Sequence, residues 1–173
     1  MTRPSTIDVE LTPAEGRILT WVGRQRFENA RALERNFGLN PGKVGGGADY
    51  DIRGAHGEYA MSVGVNLFWR PTIGSIADKD VGGILQARCI ANPKYDLRIK
   101  PKDLDDDPFV LVLQLSPLKY RLLGWMFAGE VKRNYPLRTD RGDPMHCAPQ
   151  GDLHDMPSLM DWIARARVAE LAP

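Results

Sequence analysis

The run Phe109-Val110-Leu111-Val112-Leu113 leaves this chain few ways to fold. Five consecutive β-prone apolar residues offer no polar alternate to water, so a strand built from them has to be covered on both faces. Through Ser116-Pro117 the run passes into a second β-prone stretch, Tyr120 to Phe127, which predicts an antiparallel hairpin at the centre of a sheet. Such a hairpin needs layers on either side. The 173 residues supply them within one compact domain, residues 1–173, and are too few for two ordinary ones.

The covering elements are legible in part. Thr12-Pro13-Ala14-Glu15 opens a helix, with Thr as cap, Pro at the first helical position and Glu reaching back. It is expected to run to about Asn36, with Phe37-Gly38 as the stop and Ile18, Leu19, Val22, Ala30, Leu33 and Phe37 among its apolar positions. Arg17, Arg24 and Arg31 recur every seven residues, with Arg35 beyond, and form one basic face. The Gly-rich segment Asn40 to Gly47 lacks the Gly-Lys-Ser/Thr ending of a phosphate loop and reads as a flexible connection. A second helix is expected from Gly54 to Trp69, apolar on two stripes and therefore internal, with the carboxylate of Glu58 on an apolar stripe near its start.

Beyond it, period-two patterns suggest short strands at Ile73–Ile76 and Ile84–Ile90, and an exposed edge at Leu97 and Ile99 with Arg98, Lys100 and Lys102 on its basic side. The acidic run Asp103 to Asp107 reads as a loop. A short helix at Ala128–Arg133, a strand at Met145–Ala148 and a last helix from Ser158 to about Leu171, burying Leu159, Met160, Ile163 and Val168, complete the chain. No regular βα alternation appears. The expected class is α+β (mixed α/β), a central mixed sheet with flanking helices.

Charge narrows the partners. Lys and Arg number 23 against 22 Asp and Glu, a net charge of +1, so a polyanion has to be met by a local patch: Arg17, Arg24 and Arg31, or Arg98 and Lys100. Each patch also reads as plain solvated surface, since Glu28 stands four residues after Arg24 and the acidic run follows Lys102. The longest uncharged apolar-rich stretch, Tyr59 to Trp69, is about half of the roughly 20 residues a bilayer span needs. Cys89 and Cys147 stand far apart, and no charged-then-apolar leader opens the chain, so a reducing cytoplasm is the expected compartment.

The segment Asp78 to Arg88 carries the most chemistry. An acidic residue enters a glycine-rich turn, and Gln86 and Arg88 follow within an apolar strand, sharing the face of Ile84 and Ile90 while Leu85, Ala87 and Cys89 share the other. An amide and a guanidinium between isoleucines need partners, and Asp80 and Glu58 are the natural expectation.

These residues resemble the PD-(D/E)XK phosphodiesterases of restriction-endonuclease-like fold, in particular small proteins of tailed bacteriophages. The resemblance rests on Asp51 to Ala60, Asp80-Val81-Gly82-Gly83, Gln86-Ala87-Arg88, Phe109 to Val112 and Gly124-Trp125, and spans Thr12 to Leu159. It implies a nuclease acting on DNA, with Glu58 and Asp80 as ligands of Mg²⁺ or Mn²⁺, Gln86 completing the shell and Arg88 stabilising charge on the phosphate. Gln86 and Arg88 replace the usual acid and lysine, and arginine stays charged where lysine can lose its proton. The alternative is an inactive nuclease-fold protein that binds nucleic acid or a host protein, as an adaptor or counter-defence factor; a homodimer is compatible with either.

Blander readings stand beside these. Asp80 serves equally as a turn residue, Glu58 as a helix-start acid and His56 as a helix-start residue. Gln86 and Arg88 with those carboxylates also make a structural network without metal. A zinc site from Cys89, His146, Cys147 and His154 has the right ligand types but matches no known spacing.

Overall fold

In the computed structural model, which describes residues 5–37, 47–73, 79–140 and 143–170, the hairpin of β4 (Pro108–Ser116) and β5 (Lys119–Phe127) stands at the middle of a four-stranded sheet. β1 (Ile7–Glu10) lies antiparallel to β5, and β2 (Gln86–Ile90) runs parallel to β4 at the other edge, in the order β1-β5-β4-β2. The sheet is therefore mixed. β1 has no counterpart in the sequence reading, because four residues with one buried side chain leave almost no pattern.

Alternation along the hairpin produces two cores. Val110, Val112, Tyr120 and Leu122 face α1 (Pro13–Phe37), α2 (Gly47–Val65) and α4 (Met156–Glu170), with Leu19, Met61, Val65, Met156 and Leu159 packed against them. On the opposite face Phe109, Leu111 and Met126 meet Leu97, Ile99, Val131 and Leu153. These come from β3 (Leu97–Ile99), α3 (Ala128–Asn134) and the turn before α4. β3 pairs with β7 (Met145–Ala148), and β7 with β6 (Leu137–Arg138), as a small antiparallel sheet. The fold is α+β, with helices flanking a central mixed sheet.

α1 begins as its residues dictate. Thr12 N–H donates to Glu15 Oε2 at 2.7 Å and Glu15 N–H to Thr12 Oγ1 at 3.3 Å, a reciprocal cap. Ile18 differs from expectation: it is 60% exposed, while Leu19 and Val22 carry the contact with the core. α2 starts seven residues before Gly54 and ends at Val65, where Asn66 takes a left-handed φ of 52° and Leu67 N–H closes onto Ser62 O. Glu58 and His56 thus sit in mid-helix and not at its start. Val63 and Met160 are exposed, contrary to their apolar stripes.

Among the described residues no helix is long and apolar enough to cross a membrane. The Gly-rich segment up to Gly46, the strand expected through Ile76, Asp78, Leu171, and the side chains of Leu33, Arg35, Phe37 and Val168 lie outside what is described.

Candidate functional site

The site is built at the seam between α1 and α2. Gly23 lets the helices meet, because a Cβ there would stand 2.4 Å from the Cα of Ile52. One turn on, Arg26 continues the buried stripe of Leu19 and Val22 and reaches across the seam. Its Nη1 and Nη2 donate to Glu58 Oε1 and Oε2 at 2.7 and 2.8 Å, and its Nε donates to Thr72 O at 2.9 Å. Trp69 Nε1 adds a third donor to Glu58, at 3.0 Å on Oε2. The Glu58 carboxylate is thereby held by three N–H groups from two other segments.

Asp80 comes to the same seam through a glycine turn. Gly82 and Gly83 take φ of 61° and 70°, a conformation that side chains resist, and let Val81 bridge both Trp69 and Leu85. The turn leaves Asp80 Oδ2 accepting the backbone N–H of Ala87 at 2.8 Å. Burial, and then the negative charge of Glu58, push the Asp80 carboxyl up to about 6, against the Ala87 hydrogen bond and the charges of Arg88 and Arg26. Asp51, on α2, is also raised, first by burial. Arg26 is the cation these three carboxylates share.

Gln86 and Arg88 lie elsewhere. Ala87 and Cys89 face α2, where Cys89 fills the space beside Gly57, whereas Arg88 faces the second core with its guanidinium 4.4 Å over the Phe109 ring. Gln86 shares the Arg88 face by alternation. Arg88 Nη2 donates to Asp103 Oδ2 at 2.9 Å, Nε to Arg98 O at 3.3 Å and Nη1 to Ala87 O at 3.3 Å. Asp103 also accepts the N–H of Lys100. The expectation that Asp80 and Glu58 partner Gln86 and Arg88 is corrected for Glu58, which Arg26 and Trp69 bind, and for the carboxylate partner of Arg88, which is Asp103; Asp80 does feel the Arg88 charge, from beside Ala87 at the outer edge of β2. The acidic run is a set of clamps as well as a loop, since Asp105 binds Lys132 and the buried Asp107 binds Lys79.

A magnesium ion accepts one or two carboxylates and keeps several waters. As placed, Glu58 has both oxygens bound to N–H donors, Gln86 faces away, and Asp80 keeps Oδ1 without a hydrogen bond among the described residues. Glu58 is thus already charge-paired with Arg26, while Asp80 is the carboxylate with an oxygen left open. Among the described residues no group of three His, Cys, Asp or Glu side chains is arranged to hold a metal ion. Of the zinc alternative only His146 and Cys147 are neighbours, on β7, with His146 Nδ1 bonded to Tyr135 O; Cys89 faces α2 and His154 pairs with Glu130.

The basic residues also divide. Arg17, Arg24 and Arg31 are exposed on α1, without a carboxylate partner among the described residues; Glu28 accepts from Gln25, and Arg31 lies 5.0 Å over the Phe27 ring. Arg98, on β3, and Lys100, just beyond its end, lie on the other side of the central sheet, with the Arg98 guanidinium 4.9 Å over Tyr95. The two patches therefore do not flank one pocket.

Arg26 is absent from the sequence reading, and Trp69 and Asp103 enter it only as a helix end and a loop residue. Arg26 was within reach of it, being a charge on the apolar stripe of α1 that answers Glu58 on the apolar stripe of α2. No protein-family model matches the chain, and neither a curated protein nor a solved structure does.

Proposed function

We propose that the chain is a nucleic-acid-binding protein of nuclease-like build in which Glu58 and Arg88 hold the fold together. One observation carries this reading: Glu58 and Arg88 are each committed to protein partners, Glu58 to Arg26 and Trp69 and Arg88 to Asp103. The affinity for a polyanion comes from Arg17, Arg24 and Arg31, whose charges no carboxylate neutralises among the described residues. With both cysteines free thiols, the setting is a reducing cytoplasm, a host cell's if the chain is phage-encoded.

A metal-dependent phosphodiesterase acting on DNA is the second reading. What favours it is Asp80, whose raised carboxyl stands in the field of Glu58 and keeps one oxygen unbonded. It requires Arg26 to give up Glu58. Anisotropy of labelled DNA against salt, run beside a cleavage assay in Mg²⁺ and Mn²⁺, decides between the two. The binding reading expects salt-sensitive affinity without cleavage. Metal-dependent cleavage that Asp80→Ala abolishes would establish the enzyme instead.

A further inference from the structure

The outer face of α1 carries something that a merely solvated helix avoids. Trp21 is 58% exposed, four residues after Arg17 and three before Arg24, so an indole stands on one face between two guanidinium groups that no carboxylate among the described residues pairs. At 1.5 Å of rise per residue the three side chains span about 10 Å along the helix. Trp69 and Trp125, by contrast, donate Nε1 to Glu58 and Ser158, and Trp162 packs on the core. Trp21 has no such use within the fold.

Beside Arg17 an open groove of about 420 Å³ runs between the start of α1 and the β4–β5 turn, walled by Pro13, Gly16, Pro117 and Leu118. His56 lines it while only 5% exposed. Its Nδ1 lies 2.9 Å from Ile52 O, a carbonyl that accepts only, so the neutral ring carries its proton there and presents a lone pair at Nε2. Nε2 points toward Gly16 and has no hydrogen-bond partner among the described residues. Among the described residues the sole fully enclosed side-chain polar atom without a partner is Arg53 Nε, so His56 Nε2 is open to the groove.

We propose that this surface is a track for a single strand of nucleic acid. One base stacks on Trp21, the flanking phosphates meet Arg17 and Arg24, and a neighbouring base enters the groove and donates an N–H to His56 Nε2. Stacking on an aromatic between cations is how sequence-tolerant single-strand binding works, since every base has a π-face. A duplex keeps its bases paired and stacked, and would engage the arginines alone. Each nucleobase carries an N–H donor suited to His56 when it is unpaired. The track rests on the nucleic-acid reading above and goes beyond it in naming the strand state and the residues that read it.

The test uses the full chain and three fluorescein-labelled probes of equal length at low salt: a single strand, its duplex and an abasic single strand. The single strand is expected to bind about tenfold or more tightly than either of the others and to quench Trp21. Trp21→Ala should lose about tenfold in affinity, while Trp21→Phe keeps most of the affinity and loses the quench. In the parent protein the His56 Nε2 resonance should move when the single strand is added and stay in place with the abasic strand, a readout that needs no variant to fold. Equal affinity for all three probes, with Trp21→Ala unchanged, overturns the track and leaves electrostatic binding standing. No binding by any probe overturns the nucleic-acid reading and the track with it.

Discussion

Arg26 and Glu58 meet fork to fork across the α1–α2 seam, two N–H groups on two carboxylate oxygens at 2.7 and 2.8 Å, with the side chains 17% and 12% exposed. A pair so placed is costly to break and cheap to replace whole, because removing one partner leaves a charge stranded away from water.

Arg26→Met and Glu58→Met are each expected to cost up to about 3 kcal/mol in urea unfolding, and the double variant much less than the sum of the two. Strict additivity would show that the two side chains act independently of each other.

Asp80→Asn should stabilise the protein at neutral pH. The folded carboxyl is raised to about 6 from an ordinary value of 3.8, so between these pH values the folded chain keeps a proton that the unfolded chain has lost. The group's contribution is therefore fullest below pH 4 and is lost as pH rises through 6. Asparagine retains an acceptor for Ala87 without the charge, and the gain at pH 8 is on the order of 2 kcal/mol, vanishing near pH 4. Denaturant midpoints at the two pH values measure it, and a gain equal at both would exclude the carboxyl as its source.

Arg88→Lys is expected to lower stability by about 1–2 kcal/mol, since an ammonium cannot serve Asp103, Arg98 and Ala87 together while lying flat on Phe109. Affinity for nucleic acid should not change. A fall in affinity with the melting temperature intact would place Arg88 on the ligand instead.

The sequence showed the hairpin, the capped start of α1, the face alternation of β2 and the α+β class, because each depends on neighbours within a few residues. It did not show where charges on different elements meet. The alternation correctly set Gln86 and Arg88 on one face of β2, but which layer covers that face follows from the parallel pairing of β2 with β4. That pairing places Arg88 with Phe109 and Asp103, and Ala87 and Cys89 beneath α2. Trp21 went unremarked because a tryptophan in a helix reads as core until its exposure is known.

β2 ends the sheet, and an uncovered end strand invites another chain to extend it. Here the outward amide of Ala87 is taken by Asp80 and its carbonyl by Arg88, so two side chains occupy the positions that a foreign backbone would claim. Any substitution that re-equips Asp80 or Arg88 for chemistry would therefore uncover part of this strand edge as well.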